Sequence, residues 1–109
     1  MIGAQLVGWS RLTTSGVVAW NSCRLLRLVV LVSAAGALVS VYEGLDAGSG
    51  RLIGNFTAPV AMSLVLDFGG LSCDRGLYVA LGANVTEVTA VFETVGDRGQ
   101  MRITSPAEV

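Results

Sequence analysis

Apolar residues recur at every second position through much of this chain, in short runs bounded by glycine, asparagine and serine. Residues 60–68 carry the strongest alternation, with Val60, Met62, Leu64, Leu66 and Phe68 on one side and Ala61, Ser63, Val65 and Asp67 on the other. A period of two predicts a half-buried β-strand with the first set inward. Gly69-Gly70 is expected to break it, and residues 71–75 to form a loop. Residues 76–95 predict a β-hairpin. Leu77, Val79 and Leu81 share one face, with Tyr78 and Ala80 on the other. After a Gly82-Ala83-Asn84 turn, Val88, Ala90 and Phe92 share a face opposite Glu87, Thr89 and Glu93. Residues 51–58 alternate Leu52, Gly54, Phe56 and Ala58 against Arg51, Ile53, Asn55 and Thr57. Pro59 ends that run, since it has no N–H to give to a ladder.

The first half reads similarly. Residues 23–33 are nearly continuously apolar, with Arg24 and Leu26 alternating against Leu25 and Arg27, which predicts a central strand covered on both faces, by the core on one side and a partner chain on the other. Residues 37–44 form the next strand, with Ala37, Val39 and Val41 against Leu38, Ser40 and Tyr42, and residues 45–50 a glycine-rich hairpin loop. Residues 1–12 read as a short strand or an extended arm, 13–16 as a turn, and 17–20 as a short strand closed by Asn21-Ser22. After residue 95, residues 96–99 read as a turn, 100–104 as a short strand and 105–109 as a tail. A helix over 25–38 is the rival reading, disfavoured by Gly36 and the valines. The expected fold is all-β: one domain over 1–109, an antiparallel β-sandwich of about eight short strands. Extended terminal segments are expected at 1–16 (N-terminal arm) and 96–109 (C-terminal arm).

Composition supports a packed domain rather than disorder: 109 residues, 52% hydrophobic and 14% charged, with 14 glycines. The net charge is −1, and the seven basic residues are all arginines, scattered along the chain. Without a basic stripe, nucleic acid is not expected as a partner. So small a charge gives little self-repulsion and suits a chain that works inside an assembly. The charge-free run 28–42 is shorter than the about 20 residues of a spanning helix and is centred on Gly36, so no membrane span is expected. The N-terminus lacks the basic start and long apolar core of a signal peptide, and nothing directs the chain out of the cell where it is made.

Chemistry is sparse. There is no histidine and no lysine, which removes the usual general bases and nearly all zinc sites. No cofactor, metal or catalytic residue is expected, and the chain reads as a non-enzyme. Cys23 and Cys73 leave two readings open, a disulfide or two buried thiols packed as small apolar residues, the second being the commoner. Asp46, Asp67, Asp74 and Asp97 fall at turns and strand ends in no calcium-loop spacing, and Asx turns are the expected use. Residues 44–51 lack the Lys-Ser/Thr of a phosphate-binding loop. Asn55-Phe56-Thr57 and Asn84-Val85-Thr86 match the glycosylation triplet but read as strand and turn. Trp9 and Trp20 are divided between core and interface readings. With Arg11, Arg24 and Arg27 they make up the candidate interface set.

Several segments resemble small structural proteins of tailed-bacteriophage virions. Val39-Ser40-Val41-Tyr42-Glu43-Gly44, the Gly/Ser loop, and Gly50-Arg51-Leu52-Ile53-Gly54 are similar to a V-x-V/L-Y-D/E-G strand, turn and G-K/R-x-I/L strand found there. Gly76-Leu77-Tyr78-Val79 and residues 86–92 resemble their G-L-Y-V/A and T-x-V-T-V-x-Y/F strands, with Arg75 where Asn or Asp is usual. The likeness spans roughly residues 25–95 and leaves the first 20 residues and 97–109 unaligned. It implies a virion structural protein made in the host cytoplasm. The favoured form is a capsid decoration (cement) protein that binds the major capsid protein and copies of itself, with trimeric placement. A neck, tail or baseplate component and a small ligand-binding sandwich are the alternatives.

Overall fold

In the computed structural model of the chain, which describes residues 5–95, eight strands follow one another. They are β1 (Gln5–Leu12), β2 (Gly16–Ala19), β3 (Cys23–Val32), β4 (Ala37–Glu43), β5 (Arg51–Ala58), β6 (Met62–Cys73), β7 (Leu77–Leu81) and β8 (Val85–Val95). Residues expected to form a C-terminal arm, turn and short strand beyond 95 lie outside the described part. All pairings are antiparallel and give two four-stranded sheets, β1-β8-β3-β6 and β2-β7-β4-β5. The all-β sandwich expected from the alternation is therefore the fold. The charge-free run 28–42 is shared between β3 and β4, and no helix among the described residues is long and apolar enough to cross a membrane.

The pairing has a simple rule. β4 pairs with β5, β3 with β6, β2 with β7 and β1 with β8, so the chain is one long nested hairpin. Rolling that hairpin up adds the β3–β8 and β4–β7 ladders and closes the two sheets. This is the jelly-roll arrangement of a double-sheet sandwich. Its tip, residues 45–50, is held by Asp46. The Asp46 carboxylate accepts from the Ser49 N–H at 2.7 Å and the Ser49 hydroxyl at 2.9 Å, while the Asp46 carbonyl accepts from the Gly50 N–H at 3.0 Å. Bonds to the ionised form hold the Asp46 carboxyl below the usual carboxylate range.

Between the sheets, Leu25, Leu28, Val30, Val88 and Ala90 of one meet Val39, Val41, Leu77 and Val79 of the other, all buried. At one open side Phe56 of β5 meets Phe68 of β6 edge to face, 5.6 Å between centroids, the preferred geometry of an aromatic pair.

Four expectations are corrected. Residues 76–95 are not a hairpin: β7 and β8 belong to opposite sheets, and the turn between them crosses the sandwich. Asn84 takes a left-handed φ of 64° there, its carbonyl accepts from Ser33 N–H at 2.9 Å, and Gly82 N–H donates to Leu38 at 2.8 Å. An apolar face repeating every second residue is the same whether two strands lie side by side or face each other, so alternation does not separate the cases. Secondly, Gly69-Gly70 does not end a strand and 71–75 is not all loop. β6 runs on to Cys73 through an irregularity in which Asp67 pairs with Arg27 and Leu71 with Leu25. Both glycines have positive φ, which permits a bulge rather than a break. Thirdly, Leu52 does not share a face with Gly54, Phe56 and Ala58. The register shifts between Val41 and Tyr42, leaving Leu52 exposed opposite Tyr42. Finally, Val60 is exposed in the bend before β6 rather than inward.

A Cβ on Gly76 (φ +105°) would stand 2.7 Å from the Ala19 carbonyl oxygen, whereas one on Gly69 (φ +64°) meets nothing within 4 Å. Gly76→Ala is expected to cost more than about 2 kcal/mol in denaturant unfolding and Gly69→Ala about 1 kcal/mol; equal losses would contradict the close approach. At the hairpin tip, Asp46→Ala lowers the urea midpoint at neutral pH. Because the folded-state pKa of Asp46 is depressed, its contribution is complete above the unfolded carboxylate value and is lost as pH falls through the folded value. Wild-type and variant midpoints therefore converge in acid, as a pH series of urea melts would register.

Candidate functional site

The outward face of the β1-β8-β3-β6 sheet collects most of the side chains that sequence suggested for an interface. On β8, buried Val88 and Ala90 alternate with outward Glu87, Thr89, Val91 and Glu93. Register then fixes the rows across β1, β8, β3 and β6. They read Val7, Glu93, Arg24, Ser72; then Trp9, Val91, Arg27, Asp67; then Arg11, Thr89, Val29, Val65. On β3 the inward series Cys23, Leu25 resumes at Leu28, Val30, Val32, because Leu26 is an extra residue opposite β8, where Leu25 pairs with Phe92 and Arg27 with Val91. That bulge corrects the expected alternation: Arg24 and Arg27, three positions apart, share one face instead of lying on opposite ones.

Four of the five interface candidates thus share one surface. Trp9 stands in the second row with 70% of its area exposed. Arg11 is two residues along the same strand. It donates to Glu87 through Nε at 3.0 Å and Nη2 at 2.6 Å. These bonds hold the Glu87 carboxyl below its usual range and raise the Arg11 guanidinium. Arg24 sits 3.7 Å from Glu93 and donates to the Gly70 carbonyl at 3.3 Å. Arg27 is exposed beside Val91 and Asp67. Trp20 is equally bare, at 68%, but lies in the β2–β3 connection rather than on this face. Sequence reasoning left Val7, Val29 and Val91 out of the set. The period-two spacing of Val7 with Trp9 and of Val91 with Glu93 was the available signal. β3 is central in its sheet, as its continuous apolar run implied. Its outward Val29 and Leu31 are half-buried by neighbouring strands, with no second layer over them among the described residues.

The acidic residues do local work. Asp67 accepts from Gly69 N–H at 3.0 Å within the β6 irregularity, and Asp46 serves the hairpin tip. Asp97 lies outside the described residues. No group of three His, Cys, Asp or Glu among the described residues is placed to hold a metal.

One acidic side chain that the sequence did not flag is buried. Glu43, the last residue of β4, accepts from the Asp74 N–H at 2.7 Å and from Arg51 Nη2 at 3.2 Å. Close by, Cys23 and Cys73 are register partners on β3 and β6. No protein-family model matches this chain, and no curated protein is similar to it.

Glu43→Ala would leave the Asp74 N–H without its acceptor and Arg51 without its counter-charge. A loss of about 1–3 kcal/mol is expected in denaturant unfolding; a change below about 0.5 kcal/mol would show that water replaces the carboxylate at that end of the sandwich.

Proposed function

We propose that this chain is a non-enzymatic structural protein of a virion, a capsid decoration protein. It binds the major capsid protein through the outward face of the β1-β8-β3-β6 sheet and associates with copies of itself. The observation that carries this reading is the outward row of exposed Trp9, half-buried Val91 and exposed Arg27, at the β1 end of the sheet, where β1 is the outermost strand among the described residues. Tryptophan and arginine are the residues that dominate binding energy at protein interfaces, and aromatic and arginine side chains are enriched in their centres. The jelly-roll topology adds support at the level of fold alone, since viral capsid domains use it and many other functions do too. The segment likeness to phage virion proteins points the same way. It also suggests the trimeric placement and the location on the capsid surface, where repeated weak contacts across capsomers would add up.

Trp20 supports a second reading, a ligand-binding sandwich. Lectin domains share the jelly roll, and a bare tryptophan in a connecting loop is a platform on which a sugar ring can stack.

The test is light scattering and co-sedimentation of the purified protein with empty heads of the virus that encodes it. A discrete oligomer that sediments with heads supports decoration. A larger closed ring that ignores heads moves the assignment to the neck or tail, and a monomer that ignores heads but binds glycans moves it to the ligand reading. Within the decoration reading, Trp9→Ala is expected to weaken head binding by about 30-fold or more with the thermal midpoint unchanged. Trp20→Ala should bind as wild type. The reverse order of effects would move the interface from the outward sheet face to the β2–β3 connection.

A further inference from the structure

Cys23 is the first residue of β3 and Cys73 the last of β6, and the two stand directly opposite each other in the ladder. Both are free thiols, 1% and 0% exposed. Directly opposed residues of an antiparallel pair have Cα atoms about 4.5 or 5.5 Å apart, depending on which kind of pair they form. Either spacing falls within the roughly 4.4–6.8 Å range that a disulfide spans without moving the backbone. The side chains also point the same way, into the end of the core, where the Cys73 thiol donates to the Leu71 carbonyl at 3.7 Å. The closeness of the two thiols lowers Cys73 and raises Cys23, and burial and the Glu43 carboxylate push Cys23 further up. The reduced pair is therefore protected while the sandwich end is closed. The bracket around it is slight. Leu71, Ser72 and Asp74 beside Cys73 are exposed, and so are Asn21 and Ser22 before Cys23. Strand ends open locally far more often than strand centres.

We propose that Cys23 and Cys73 are a redox-operated staple, reduced as the chain folds and joined when it meets a disulfide oxidant such as glutathione disulfide. The Cys73 thiolate attacks one sulfur of the oxidant, breaking its S–S bond and releasing one glutathione thiolate, which takes up a proton. Cys23 then loses its proton and attacks the mixed disulfide at the Cys73 sulfur, releasing the second glutathione. One S–S bond forms between β3 and β6, and the protein gives up two electrons and two protons to the oxidant. The staple closes a loop from 23 to 73 that contains β4, β5 and the hairpin tip, so it restrains the unfolded chain over nearly half its length. This inference stands apart from the virion reading and requires no partner.

The experiment uses the full chain, purified reduced and then held in a glutathione buffer poised toward the disulfide. Free thiols are trapped by alkylation in denaturant, and mass and thermal midpoint are measured. The expected product is a single species lacking two hydrogens, with no alkylated cysteine and no glutathione adduct. Its midpoint should stand on the order of 10 °C above that of the reduced protein, and dithiothreitol should reverse the shift. Cys73→Ala and Cys23→Ala should each show no oxidation-dependent rise in midpoint, whatever their own stability. The proposal is overturned if both thiols stay free in the oxidising buffer, if glutathione adducts or linked dimers accumulate instead, or if the oxidised protein melts at or below the reduced one.

Discussion

Closure of β4 on β5 across residues 45–50 is the contact on which every other ladder depends. In a nested hairpin each pairing brings the next two strands together. Were β1 and β8 to meet first, the whole intervening chain would have to be closed as one loop, and closure entropy grows with loop length. Started from the tip, each step closes only a short further loop. The Asp46 carboxylate, bonded twice to Ser49, therefore has an influence out of proportion to its place on the surface. The core forms only when the ladder it starts is rolled so that Leu28, Val30 and Val88 lie over Val39, Val41 and Val79.

Rolling leaves two outward faces. On the β2-β7-β4-β5 side Ser40 bonds Asn55 at 2.6 Å and Tyr42 packs against Tyr78, while Leu38 and Leu52 stand exposed. On the β1-β8-β3-β6 side, cross-strand ion pairs at Arg11–Glu87 and Arg24–Glu93 frame the row of Trp9, Val91, Arg27 and Asp67, which nothing within the described chain covers. Surface pairs of this kind contribute little stability. Their arrangement instead marks out a patch with an aromatic at its edge, and the near-zero net charge does little to keep another protein away from it.

Alternation made the strands legible, because a half-buried sheet imposes a period of two on the residues themselves. It gave the inward sets of β4, β7 and β8 correctly. It could not say which strands are neighbours, since pairing is settled between residues far apart in the chain. That is why β7 and β8 read as a hairpin although they lie in opposite sheets. Nor could it see the places where the period slips. Leu26 adds one residue to β3, Leu52 is turned out by a register shift beside Ile53, and Gly69-Gly70 bends β6 without ending it. The candidate surface was half legible for the same reason. Trp9, Arg11, Arg24 and Arg27 could be chosen by residue type, but only the registers of β1 and β3 against β8 bring them onto one face. The valines beside them could not be chosen, because a valine on an open sheet face and one beneath it are the same letter in the same period.

Gln5 stands opposite Val95 in the outermost ladder, so the described chain enters and leaves the sandwich at one corner. A nested hairpin whose two ends meet is a closed ring with a single nick. Sealing that corner with a short linker and cutting within residues 45–50 would move the nick to the opposite end of the molecule while every ladder kept its register. Such a circular permutant would hold the same folded object but would lose its easiest starting point. It would have to assemble from the corner inward, which would separate the order of folding from the final architecture.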